Sequence, residues 1–285
     1  MKIVLLSLGV VLIAGVLQPN VHEVFRRGVK WDGAPSHQEA TEIAPRKKRA
    51  VTIKEHEIKF HERDRDGNVI VPYNISDEFY NVEVRIIEKV LEDIEKNTCI
   101  RFERRSPSSE RGSPLIQFET SSSGGCSNGQ IRHKVKTIEI LLKDGVEKKT
   151  VRTDDILVSN VIMLGRDGCI NNQTIYHEIL HSLGVYHEQM RPDRDEYVTI
   201  HHDNIMKGKE KQFEKLLDDD VETHGTPYDF YSVMHYAKNE GGINGANVIE
   251  THPYFQDKIG IGQAPSELDY LGLCRLYKCK ACMGW

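Results

Sequence analysis

The spacing of apolar positions divides the chain into stretches of different character. After Lys2, the run from Ile3 to Leu17 is uncharged and mostly apolar. That length suits the core of a signal peptide and falls short of the ~20 residues a membrane span needs. Val69 to Ile75 reads as a strand. Ser76 is placed to cap a helix running to about Lys96, with Phe79, Val82, Ile86, Val90 and Ile94 as its buried stripe. Cys99 to Phe102, Leu115 to Phe118 and Thr137 to Leu142 read as further strands, whereas Val158 to Leu164 is apolar and fits either state. Beyond residue 190 periodicity weakens and turns multiply. The order strand, helix, strands, helix predicts an α/β (α+β) fold. A lobe with a mixed twisted sheet comes first, and a largely irregular lobe that depends on cross-links follows.

Composition narrows the class. Of 285 residues, 39% are hydrophobic and 28% charged, which excludes a disordered or polytopic membrane chain. The net charge of −5 argues against a nucleic-acid partner. No stretch after Leu17 is long and apolar enough for a membrane anchor, so residues 1–17 predict a secreted, extracellular protein. Arg46-Lys47-Lys48-Arg49 is a tetrabasic run in a polar linker, the kind of segment in which chains are nicked. It predicts a processing protease acting at Arg49, a pro-segment over 18–49 and a mature domain over 50–285, expected to be a monomer. Two sequons, at Asn74 and Asn172, fit a secreted glycoprotein.

The chemistry concentrates in His177-Glu178-Ile179-Leu180-His181-Ser182-Leu183-Gly184-Val185-Tyr186-His187-Glu188. His177 and His181 are four residues apart, so a helix projects both from one face, where they can share a metal. Glu178 is turned about 100° away, beside the metal rather than on it. On a continuing helix His187 would lie roughly 9 Å further along the axis, beyond any ligand bond. The helix must therefore stop, and Gly184 is where a left-handed turn can reverse the chain. Three histidines leave one position of a tetrahedral zinc ion open, the pattern of a single catalytic ion. Glu178 is placed to act as general base.

These residues carry a family likeness. The motif with Glu188 directly after the third histidine resembles the astacin branch of the metzincin zinc endopeptidases. So do Gln189 to Asp195, the segment Tyr231-Ser232-Val233-Met234-His235-Tyr236, which is similar to the Met-turn, and the closing segments Ile259 to Gln263 and Leu276 to Cys279. The resemblance covers nearly all of 50–279. It implies a secreted, zinc-dependent endopeptidase made as a zymogen, which binds extended polypeptide across a cleft between two lobes. It implies Met234 as an apolar floor beneath the histidines and Tyr236 as a further ligand or a donor to the oxyanion. Glu188 would meet the α-amino group of Ala50 once the pro-segment is gone. By the family pattern Cys99 pairs with Cys279 and Cys126 with Cys169. Cys274 and Cys282 are left over, and their pairing stays open.

Three departures stand out. The pro-segment motif that blocks zinc in the family is not intact, since Phe25-Arg26-Arg27-Gly28 and Trp31-Asp32-Gly33 replace it; Asp32 is the candidate for latency. The span from Cys126 to Cys169 is long, with added charged sequence around His133 to Asp155, where the family has the edge strand that lines substrate. The run from Lys54 to Asp66 is unusually charged. Two rival readings remain: a catalytically silent extracellular binding module with structural zinc, and a zinc hydrolase acting on a small amide or ester.

Overall fold

Alternation of buried and exposed positions builds the first half of the molecule. The computed structural model describes residues 51–53, 60–105, 114–121, 125–143, 146–252 and 254–282. The assigned signal peptide and pro-segment, Asp32, the cleavage site at Arg49 and the amino group of Ala50 lie outside the described residues. The elements run β1 (Thr52–Ile53), β2 (Val69–Ile75), α1 (Asn81–Asn97), β3 (Ile100–Arg104), β4 (Leu115–Ser121), β5 (Cys126–Lys143) and β6 (Val146–Gly165). Then come α2 (Asn172–Ser182), β7 (Val198–Ile200), β8 (Val221–Glu222), β9 (Ile249–Thr251) and α3 (Glu267–Leu276).

Five strands form one sheet in the order β3-β2-β4-β6-β5. β2 is parallel to β3 and β4, β4 is parallel to β6, and only the edge strand β5 is antiparallel to its neighbour. Val69, Val71, Tyr73 and Ile75 occupy every second position of β2, and all four are buried. They share a core cluster with Ile87, Val90, Leu91 and Ile94 of α1 and with Ile175, Ile179 and Leu180 of α2. The apolar segment Val158 to Leu164 is strand, the last part of β6, and places Ile162 and Leu164 in the same core.

The first helix departs from the sequence expectation in two ways. Ser76 does not cap it. The chain makes a turn first, and the helix starts at Asn81 behind Tyr80, whose N–H donates to the Glu83 carboxylate at 2.7 Å. Arg166 stacks over the Tyr80 ring at 4.6 Å and pairs with Glu83 at 3.4 Å, which fixes this entry. The stripe also rotates. Val82 is 55% exposed, and Ile87 and Leu91 are buried instead. Steps of four residues advance 400°, so each drifts ~40° around the helix. Three steps before Ile94 the drift is ~120°, which carries Val82 off the buried face.

The charged insertion becomes a long hairpin. β5 and β6 remain paired out to Lys143 and Val146, whereas β4 contacts β6 only from Ser159 onward.

After residue 183 the elements are short, as expected. β1 pairs with β8 and β7 with β9, each pair joining segments distant in sequence. A second cluster of Val198, Ile205, Phe213, Tyr228, Phe230, Val248, Ile249 and Ile259 holds this part together, with Phe230 stacked on Phe255 at 4.6 Å. α3 then returns to the first core through Leu273, Leu276 and Tyr277. Cys99 is bonded to Cys279, Cys126 to Cys169 and Cys274 to Cys282.

Candidate active site

The metal-binding segment begins with a well-made helix start. Asn171 accepts the N–H of Thr174 at 3.0 Å, capping α2. Ile175, Ile179 and Leu180 are fully buried, which leaves His177 and His181 half-buried on the opposite face. The helix ends in a Schellman turn. Val185 N–H donates to Leu180 O at 2.9 Å and Gly184 N–H to His181 O at 3.1 Å. Gly184 sits at φ 97°, in the left-handed region that disfavours any side chain with a Cβ. The chain then leaves the helix, and Val185 bridges to Thr52.

This reversal returns His187 to the other two histidines. His187 Nε2 lies 3.0 Å from His177 Nε2 and 3.1 Å from His181 Nε2, and the latter two are 3.1 Å apart. His177 Nδ1 donates to Val233 O at 3.0 Å, and His181 Nδ1 donates to Val185 O at 2.8 Å. A carbonyl only accepts, so these bonds put the proton on Nδ1 and leave each Nε2 as a lone pair. Burial pushes the pKa of His177 down, and that of His187 well down, which favours the neutral form that binds metals. Lone pairs converging this closely repel one another unless a cation sits among them. A tetrahedral ion with bonds of ~2.0–2.1 Å spaces its ligands by roughly 3.3 Å. The three imidazoles therefore fit zinc in chemistry and in spacing.

The second half of the chain supplies the backing. Ser232 to Tyr236 form a tight turn in which His235 N–H donates to Ser232 O at 3.1 Å. Met234 is wholly buried in the first core, and its carbonyl accepts the N–H of Glu188, next to His187, at 3.1 Å. Asp269 of α3 grips this turn. Its Oδ1 accepts from Ser232 Oγ at 2.7 Å and its Oδ2 from Val233 N–H at 3.1 Å. The carbonyl of the same residue, Val233, orients His177. Burial, and secondarily the charge of Asp229, pushes the Asp269 carboxyl up to about 6. A carboxyl that holds its proton more tightly folded than unfolded makes stability fall as pH rises from about 4 to about 6. The expected loss from this group is about 3 kcal/mol. Unfolding free energies measured across that window should show the slope, and Asp269→Asn should remove its share.

Glu188 is buried, not a surface carboxylate. Its Oε1 accepts from Arg191 Nη1 at 2.9 Å and from Asp229 N–H at 2.8 Å. Burial raises its pKa to about 8 against the pull of Arg191. Val51 is also buried, and its carbonyl accepts Tyr186 N–H at 3.1 Å, so the described chain begins beside this segment.

Around the histidines lies a cavity of about 490 Å³. Ser127 and Asn128 of β5 form one wall, while Tyr236 and Gln212 come from the later part of the chain. Glu178 is 7% exposed, and burial pushes its pKa to about 7. The Tyr236 ring lies 4.5 Å from that of His187, and burial raises its phenol to about 12, which keeps the O–H as a donor at neutral pH. Asn128 fixes β5 against α2 by donating to Glu178 O at 2.9 Å and to Ser182 Oγ at 2.7 Å. No motif pointed to Asn128, Asp269, Gln212 or the Val233 carbonyl, because each works through the fold and none belongs to a local spacing. The two sequons differ in setting. Asn172 is exposed at the start of α2, whereas Asn74 lies in β2 and donates its amide to Arg105 O at 3.0 Å.

Comparison with known proteins agrees with this geometry. The family model described as Astacin, a peptidase family, matches residues 59–159 and 152–278. Zinc metalloproteinase nas-5 of Caenorhabditis elegans is 32% identical over 222 residues, covering 78% of this chain and 55% of its own. Low choriolytic enzyme of Oryzias latipes is 32% identical over 219 residues, covering 76% and 68%. This chain thus spans about half the length of the nematode proteinases it resembles. The solved structure of high choriolytic enzyme 1, a hatching enzyme zinc-protease from Oryzias latipes, superposes with a TM-score of 0.61 at 29% identity, covering 78% of this chain and 95% of that one. With its family match spread over both lobes and its three histidines converging on one point, the chain belongs to the astacin family.

Proposed function

We propose that this chain is a secreted zinc endopeptidase that hydrolyses peptide bonds of extracellular proteins and is made as a zymogen. The observation that carries the reading is the convergence of three histidine lone pairs within 3.1 Å, beside a buried carboxylate in an open cleft. His177, His181 and His187 would hold the ion. Zinc, when bound, supplies Lewis acidity toward a carbonyl oxygen and toward water. Glu178 takes the proton of the attacking water and delivers it to the leaving amine. Tyr236 donates its O–H to the oxyanion that develops on the scissile carbonyl. Val233 and Val185 hold two of the imidazoles in the ligating tautomer through Nδ1.

Zymogen control follows from the N-terminal end. Cleavage after Arg49 would free the amino group of Ala50, the residue before the buried Val51, whose carbonyl accepts the N–H of Tyr186, two residues before Glu188. An ammonium there would add a second positive partner to a carboxylate that Arg191 only partly compensates. Asp32 remains the candidate for holding the precursor inactive.

The test is hydrolysis of peptides by the chain processed at Arg49, with and without a chelator. Tight zinc binding with no cleavage of any protein would favour the silent module instead. Tyr236→Phe should lower kcat about 10²-fold with little change in KM, because a donor aimed at the oxyanion acts in the transition state. Stopped assays with one peptide at varied concentration would measure the split.

A further inference from the structure

The distal β5–β6 ribbon has no role in the chemistry above, yet it continues the strand that walls the cleft. From the Arg132–Leu157 pair to the Lys143–Val146 pair, β5 and β6 are paired only with each other among the described residues. Twelve register pairs at ~3.3 Å per residue make a two-stranded arm roughly 40 Å long. A hairpin of two strands is marginal in water unless a third strand or a packed face supports it. The family model matches in two pieces that overlap at 152–159, so the match breaks where the returning strand of this arm rejoins the sheet.

Three further observations point to what supports it. β5 is an edge strand, so its outer row of N–H and C=O groups faces no strand among the described residues. Ser127 and Asn128, near the start of the same strand, line the metal cleft. The outer part of β5 is also basic, with Arg132, Lys134, Lys136 and Lys143 against Glu139 alone, in a chain whose net charge is −5. We propose that the arm is an exosite: a polypeptide substrate bound in the cleft continues along the outer edge of β5 as an added strand, and the arm selects substrates with an extended acidic segment beside the scissile bond. This rests on the endopeptidase reading above. Main-chain pairing supplies affinity, and the lysines supply selectivity.

The experiment uses the full processed chain carrying Glu178→Gln, so that binding is read without turnover. Fluorescence anisotropy compares an eight-residue peptide that spans the cleft with the same peptide extended by twelve residues. Three extensions are used: one with Asp or Glu at alternate positions, one neutral, and one acidic but interrupted by prolines. The acidic extension should tighten binding about tenfold at low salt. The neutral extension should tighten binding less, through strand pairing alone; the acidic one should fall to that level in 0.5 M salt and in the variant Lys134→Ser, Lys136→Ser, Lys143→Ser, and the proline-interrupted peptide should show no gain. In the active chain the same gain should appear in KM, with cleavage of the short peptide unchanged by the lysine substitutions. Equal affinity with and without the acidic extension would overturn the proposal, as would an undiminished gain from the proline-interrupted peptide. In that last case the lysines bind charge without strand pairing. Absence of cleavage of the short peptide by the active chain would count against the endopeptidase reading and leave the anisotropy result to stand by itself.

Discussion

Replacing Glu178 by Gln should reduce peptide hydrolysis about 10⁴-fold while zinc binding is kept. Glutamine keeps the shape of the side chain and its place on α2, but it cannot accept a proton from water at neutral pH. General acid–base catalysis is worth ~10²–10⁴, and the upper end applies here because one group serves both transfers, toward the water and toward the leaving amine. Among the described residues lining the cavity none is placed to take over: in the proposed mechanism His177, His181 and His187 would hold the metal through Nε2, and the Tyr236 phenol has its pKa raised to about 12. Zinc affinity should change little, because Glu178 is turned ~100° from His177 around the helix and belongs to no ligand set. Competition with a chromogenic chelator would measure the affinity, and single-turnover assays would measure the chemical step. Full activity in Glu178→Gln would remove the proposed base.

Breaking the Cys99–Cys279 bond should cost the most stability of the three disulfides. It joins residues 180 apart in sequence. In the chain-entropy model a loop of that length is worth about 5 kcal/mol, against about 2.5 for Cys274–Cys282, which are 8 apart. The bond ties the start of β3 to the segment just after α3. It therefore closes the two halves of the chain on each other, and the turn that orients His177 hangs between them. The double change Cys99→Ala, Cys279→Ala should lower the melting temperature by about 10–20 °C. Zinc affinity should fall with it, since Asp269 grips Ser232 and Val233 from α3. The pair Cys274→Ala, Cys282→Ala should cost about half as much. Calorimetry of the two double variants side by side decides the order, and equal losses would refute the long-loop account.

Much of the active centre was legible from local spacing. His177 and His181 share a helix face because a step of four residues nearly closes a turn, and Gly184 marks the reversal because few other residues tolerate φ 97°. The strand β2 was legible to the residue, with Val69, Val71, Tyr73 and Ile75 at every second position. The start and the face of α1 were not, because the entry is capped by Glu83 on the N–H of Tyr80, with no Ser, Thr, Asp or Asn there to mark it and Arg166 added from a distant segment, and because a period of four drifts against a turn of ~3.6 residues. The segment Val158 to Leu164 stayed ambiguous because a run of apolar residues has no period, and its pairing between β4 and β5 made it a strand.

The amino-acid order by itself determined that His177 and His181 share a face, where Glu178 stands beside them and where the helix stops, because each depends on residues within a dozen positions of one another. The tertiary structure decided what links these to the rest. The carbonyl of Val233 sets the proton of His177, a carboxylate on the last helix holds the N–H of the same residue, and Arg191 with the Asp229 N–H accompanies the buried Glu188. Arg191 apart, which lies three residues after Glu188, those couplings join side chains and peptide groups far apart in sequence, so they exist only once the chain has closed on itself.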